Sequence, residues 1–273
     1  MNRSWLVALS FWAVTAYGSA INVNLGTAGS FAVLAGSTVT NTGPTTIHGD
    51  LGLWPGTAIT GFPPGLVSGG TTHASDAVAL QAQSDLTLAY IAAAGQLGGV
   101  NLTGQDLGGL TLTPGVYHFD SSAQLTGVLT LNALGDPNAV YVFQMGSALT
   151  TASNSSVVFA NGGPVDGLYW QVGSSATLGT STAFAGNILA LTSITLNTGA
   201  SITCGSALAR NGAVTLDTNT IDTLGCGTTT GGGGGTGGDG GGSAVPEPQT
   251  AALFGVGLLG MIGLCRKLRK QTA

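Results

Sequence analysis

Threonine recurs in this chain at regular intervals and in a constant setting. Ala176-Thr177-Leu178-Gly179-Thr180, Ile194-Thr195-Leu196-Asn197-Thr198 and Val214-Thr215-Leu216-Asp217-Thr218 are three versions of one pattern, with Thr177 and Thr195 18 positions apart and Thr195 and Thr215 20 apart. Repeats of about 20 residues are the period of solenoids. The order apolar, Thr, Leu is the alternation of a strand with one buried face. Leu178, Leu196 and Leu216 should therefore stack inside, with the threonines outside. Neighbouring strands lie about 4.8 Å apart and outward residues two apart on one strand about 6.7 Å apart. Stacked coils would then present hydroxyls and methyls on a regular grid, held in order by the stiffness of the threonine χ1. The chemistry open to such a grid is the ordering of water, with the hydroxyl as anchor and the methyl as the wall of a cage.

Catalytic readings are weaker. His48-Gly49-Asp50 and His118-Phe119-Asp120 are the His/carboxylate neighbours, and each is a two-ligand fragment without the third ligand and supporting groups of a metal site. Both histidines read as structural. There is no Gly-x-Ser-x-Gly elbow. A carbohydrate-cleaving β-helix would need basic residues and acidic calcium ligands, and the middle of the chain offers Arg210 alone. No enzyme activity, metal or cofactor is expected. Charged residues make up 6% of the chain, against roughly 25% in ordinary domains. The basic residues are Arg3, Arg210, Arg266, Lys267, Arg269 and Lys270, too few and too scattered to neutralise phosphates, which excludes nucleic acid. The net charge of -5 points to no particular partner.

The elements that must position the threonines follow from the rest of the chain. With 43% hydrophobic residues it can build a sizeable core. Residues 1–20 read as a secretory signal: Arg3, an apolar run over 5–16, then Gly18-Ser19-Ala20. Phe31 to Ala35 reads as an apolar strand and residues 37–52 as a first coil, with a corner at Gly43-Pro44. The loops Trp54-Pro55-Gly56 and Phe62-Pro63-Pro64-Gly65 should cap an end. One helix is expected over 75–94, with Ser75 as N-cap, Leu80, Ser84, Leu88 and Ile91 at helical spacing and Gly95 as terminator. Its alanines suit close packing along the flank of the solenoid. Strands resume after Leu107, and Val140 to Met145 is apolar enough to be buried on both faces. Cys204 and Cys226 bracket the last coils, and in an oxidising compartment a disulfide between them would add roughly 3 kcal/mol. The domain should run over 21–226, followed by a Gly-rich linker at 227–244 and a tail at 245–273. That tail carries Val245-Pro246-Glu247-Pro248, an apolar run at 251–264 and a basic end at 266–270.

The tail closely resembles the PEP-CTERM sorting signal of Gram-negative bacteria. The resemblance implies export, processing by an exosortase, membrane attachment only through the uncleaved tail, and delivery to the cell surface or extracellular matrix. Residues 31–35, 41–43 with 49–52, 112–117, 135–141, 170–176 and 186–190 together resemble the microbial ice-binding-like family, in order over about 24–222. The family implies a right-handed, discontinuous β-solenoid of triangular cross-section with a long helix alongside, and an N-terminal coil that docks on the C-terminal ones. It also implies adsorption of one face to an ice crystal surface, through Thr-Ala/Gly-x-Thr/Asn motifs. Thr42-Gly43-Pro44-Thr45 and Thr151-Ala152-Ser153-Asn154 match that motif. Thr198 with Ser201, Thr180 with Thr182, and Thr218 with Thr220 match it in part. These ten residues are the expected ice contacts. The alternative is a structural or adhesive matrix solenoid that keeps the fold without binding ice.

Overall fold

A computed structural model of the chain describes residues 19–162 and 167–223. Most of the expected signal, together with Cys226, the linker and the sorting tail, lies outside the described residues. The described chain is mainly β, with three sheets of parallel strands and one α-helix, Ala77–Ala94. From Phe31 to Ala74 and again from Gly115 to Asp222, successive strands fall in successive sheets. Leu168–Val172, Ala176–Leu178 and Ala183–Ala185 lie in three different sheets, and the next three, Asn187–Ala190, Ile194–Leu196 and Ser201–Thr203, pair with them in register. Each coil thus stacks its strands on those of the coil before.

The order of the stack is not the order of the chain. Phe31–Ala35 lies between Asp50–Leu53 and Ala207–Ala209, Thr38–Thr42 pairs with Val214–Asp217, and Thr46–His48 pairs with Thr220–Asp222. The N-terminal coil therefore closes the end that the C-terminal coil would leave open, as the family resemblance implied. An exposed sheet edge carries unpaired backbone groups, and this docking satisfies them with strands about 170 residues away.

Inside the stack, like positions pile on one another. Leu149, Ala176, Ile194, Val214, Val39 and Ile59 form one column of the second sheet. The largest fully buried side chain, Trp170, stacks on Phe143 at 4.1 Å and tilts against Phe184 at 4.8 Å, and its Nε1–H donates to the Ala185 carbonyl at 2.9 Å.

The first sheet is covered on both faces. Its outward side chains Phe31, Leu34, Val116, Val142, Tyr169, Leu189 and Leu208 pack against Ala82, Leu86, Ala89 and Ala93 of the helix. Tyr141–Met145 belongs to this sheet, which accounts for its apolar run. The alanines make the buried stripe of the helix because small side chains let it lie close to the sheet. Leu80, Leu88 and Ile91 are on its exposed side. The helix start also differs from expectation. Ser75 has φ +57 and spends its hydroxyl on the Gly56 carbonyl, while Asp76 is the N-cap, accepting from the Ala79 N–H at 2.9 Å. Asp76 wins because an extended residue with a carboxylate can reach the orphan donors of the first turn.

Helix and N-terminal arm are tied by Asp85, whose Oδ2 accepts from both the N–H and the hydroxyl of Thr27 at 2.7 Å. These bonds, the N–H first, hold the Asp85 carboxyl below the usual carboxylate range, and the Ala79 N–H followed by His73 does the same for Asp76. A depressed folded-state pKa contributes stability that is present above the ordinary value and lost as pH falls through the folded value. The unfolding midpoint should therefore hold down to about pH 4 and decline below it, with a shallower decline in Asp85→Asn. Thermal unfolding followed by circular dichroism between neutral and acid pH measures this.

Candidate functional site

The second sheet carries the threonines. In register across its seven strands stand Gln124, Thr150, Thr177, Thr195, Thr215, Thr40 and Thr60, all pointing away from the core. All but Thr60 lie between buried neighbours, as in Ile194-Thr195-Leu196 and Val214-Thr215-Leu216, so the alternation alone aims them outward. On one flank run small residues, among them Ser122, Ala148, Ser175, Ser193, Ala213 and Thr38. The serine hydroxyls there are spent within the stack: Ser122 accepts from the Ala148 N–H, Ser175 from Ser193 and Ser193 from Ala213. The ladder stands free of bulky neighbours on that side.

On the other flank the chain turns toward the third sheet. Thr126, Ala152, Gly179, Asn197, Asp217 and Thr42 lead into turns that require positive φ, taken up by Gly127, Asn154, Ser181, Gly199, Thr218 and Gly43. Thr218 adopts φ +56 although it is β-branched, and a Cβ on its neighbour Gly43 would lie 2.3 Å from its hydroxyl, so glycine is required there.

The ten expected contacts distribute unevenly over this geometry. Thr45, Thr151 and Thr182 are buried. The Thr151 and Thr182 hydroxyls bond each other at 2.8 Å, Thr151 also accepts from the Gly179 N–H, and Thr45 accepts from the Asn219 N–H. They face inward because each immediately precedes or ends a strand at a core position, and they cannot meet an external surface. Thr42, Asn154, Thr180, Thr198 and Thr218 are exposed along the corner, whereas Ser201 and Thr220 lie on the third sheet. That third sheet is mixed, exposing Leu66, Val128 and Val158 beside its polar residues. Thr177, Thr195 and Thr215 were read as a ladder but are not among the ten expected contacts, and Thr40, Thr60, Thr150 and Gln124 were missed as its members. Val39-Thr40-Asn41 and Leu149-Thr150-Thr151 carry the signal, but their place in the stack depends on pairings that no local period reveals.

The histidine fragments separate as well. His118 Nε2 lies 3.5 Å from Asp120 at the surface, His48 stands opposite Asp222, and the shortest His–carboxylate bond is between His73 and Asp76 at 2.8 Å. Among the described residues no group of three or more His, Cys, Asp or Glu side chains could hold a metal ion, and no helix is long and apolar enough to cross a membrane. Cys204 is half-buried and lines a cavity of about 450 Å³ with Asn22, Tyr169, Ser206 and Thr223.

Compared with known proteins, residues 33–222 match the family model described as Ice-binding-like. The chain belongs to that family. Residues 244–267 of this ice-binding-like chain also match the model of the PEP-CTERM protein-sorting motif. It is 54% identical over 263 residues, 96% of this chain and 93% of the relative, to an ice-binding protein of Nostoc sp. (strain HG1). Its fold is similar to the crystal structure of an ice-binding protein from an Antarctic biological consortium, with a TM-score of 0.72 and 48% identity over 80% of this chain and 96% of that one. It is also similar to the ice-binding protein of the Antarctic ascomycete Antarctomyces psychrotrophicus, with a TM-score of 0.71 and 43% identity over 75% of this chain and 99% of that one.

Proposed function

We propose that this protein binds ice, adsorbing to the crystal through its second sheet, and that it catalyses no reaction. The ladder from Gln124 to Thr60 is the observation that carries this reading. It offers like side chains at one strand spacing along the stack, and desolvating a threonine costs far less than desolvating an ion. Membership of the ice-binding-like family and the 54% identity to the Nostoc ice-binding protein support the same conclusion. Of the contacts expected from the motif, Thr42, Asn154, Thr180, Thr198 and Thr218 would form the rim of the face. Ser201 and Thr220 would lie beyond it. Thermal hysteresis and inhibition of ice recrystallisation by the purified protein test the reading, and a folded protein without either activity would overturn it.

The body is proposed to be a right-handed solenoid of triangular cross-section, a shape for which three sheets visited in rotation give support. The PEP-CTERM match at 244–267 supports an extracellular or cell-surface location; the proposed organisation is a signal at 1–20, the solenoid over 21–226, a linker at 227–244 and a tail at 245–273. That tail would be processed by an exosortase, as in Gram-negative cells. Cells could use a surface-held ice binder to attach to ice or to keep liquid channels open around them. A matrix role without ice binding draws on one observation, the carboxylate of Asp217 on the flank of the ladder.

A disulfide between Cys204 and Cys226 is part of this proposal. Thr223 lines the same cavity as Cys204, and the three residues onward to Cys226 can span about 10 Å. Peptide mapping without reductant should recover the linked pair, and reduction should cost roughly 3 kcal/mol of stability in chemical denaturation.

A further inference from the structure

Among the described residues, Asp217 is the one acidic side chain on the outward face of the second sheet's strands. It stands directly beside Thr42 in the pairing and two positions after the ladder residue Thr215. Its carboxylate is held in place by two neighbours: the Thr198 hydroxyl donates to Oδ2, and the Thr218 hydroxyl donates to Oδ1 at 3.0 Å. Both threonines are exposed.

We infer that Asp217 limits how strongly the face adsorbs to ice, and that neutralising it strengthens adsorption; this rests on the ice-binding reading above. A carboxylate accepts hydrogen bonds and donates none. Thr198 and Thr218 have turned their protons toward it, so toward water they too offer lone pairs only. The three together form a charged spot that can only accept, at the edge of a ladder whose other members both donate and accept. Water in ice is fixed as a donor of two bonds and an acceptor of two, and a cluster of acceptors cannot satisfy that pattern. A charge also holds its hydration far more strongly than a hydroxyl does, so bringing it against a crystal costs more. Asparagine has nearly the same shape. Its Oδ1 accepts one threonine proton while its Nδ2 donates to the other hydroxyl, which releases a proton toward the crystal.

The corner does not depend on the carboxylate for its shape. The Asp217 N–H donates to Asn219 Oδ1, and Asn219 Nδ2 donates to the carbonyls of Asn197 and Ala200. These bonds survive the substitution. The test compares the protein as secreted with Asp217→Asn and Asp217→Ser, and with Asp222→Asn, which removes the same charge from the third sheet. Hysteresis and recrystallisation inhibition are read at matched concentrations, with unfolding midpoints alongside. Asp217→Asn should exceed the parent at every concentration, Asp217→Ser should not fall below it, and Asp222→Asn should equal it. An active parent with no gain at Asp217, or an equal gain at Asp222, overturns this inference alone. An inactive parent with inactive variants overturns the ice-binding reading and this inference with it.

Discussion

Thr195→Tyr is expected to reduce thermal hysteresis and recrystallisation inhibition to background while leaving the unfolding midpoint unchanged. Thr195 is the fourth of seven positions in the ladder, with Thr177 on one side and Thr215 on the other. Its side chain is outward and its neighbours Ile194 and Leu196 are buried, so a larger side chain there projects into solvent and disturbs no packing. Surface substitutions of this kind usually change stability by less than about 0.5 kcal/mol, and tyrosine is at ease in a strand. A phenol ring in the middle of the ladder would hold a rigid crystal plane away from the threonines on both sides, so one substitution removes the whole face from contact. Thr220→Tyr places the same ring on the third sheet and should leave activity intact. Loss in the third-sheet variant with retention in Thr195→Tyr would move the site to that sheet. Loss in neither would exclude both.

Trp170→Ala is expected to show the opposite pattern, a large fall in stability with hysteresis retained by whatever fraction stays folded. Trp170 is fully buried, stacked on Phe143 and packed on Phe184, with its indole N–H satisfied by the Ala185 carbonyl. Truncating a buried aromatic costs about 3–5 kcal/mol, because the transfer energy is lost and the cavity only partly collapses. The carbonyl left without its donor adds to that cost. For a domain of this size the midpoint should drop by about 10 °C. Because the ladder lies on a different sheet, activity measured near freezing on folded protein should match the parent. A midpoint within a degree or two of the parent would show that the aromatic stack contributes little. Together the two variants separate the surface that binds from the core that holds it flat.

Much of this was legible in the chain itself. The alternation in Ile194-Thr195-Leu196 and its relatives determined that threonine faces out and leucine faces in, since a strand has no other way to bury one of two alternating sets. The alanines over Ala77–Ala94 determined a closely packed covering helix. The motif spelling Thr-Gly-Pro-Thr or Thr-Ala-Ser-Asn, by contrast, did not determine exposure. Thr45 and Thr151 fall at core positions of the corner and point inward, whereas their motif partners Thr42 and Asn154 point out. Ser75 and Asp76 are equally good caps by residue type, and the Gly56 carbonyl within reach of Ser75 decides between them.

The local element, its period and its inner and outer faces could be read from the chain, because those depend on residues a few positions apart. The extent of the threonine face was set by the fold. The pairing of Thr40 with Thr215, 175 positions away, joins the N-terminal coil to the last C-terminal one and turns a ladder of four threonines into one that continues through Thr40 to Thr60. That junction is chosen by which open sheet edge needs a partner, a property of the assembled stack that no short stretch of chain carries. The same assembly brings Thr198, on the neighbouring coil, onto the carboxylate of Asp217 and so decides where the uncharged face ends on that side.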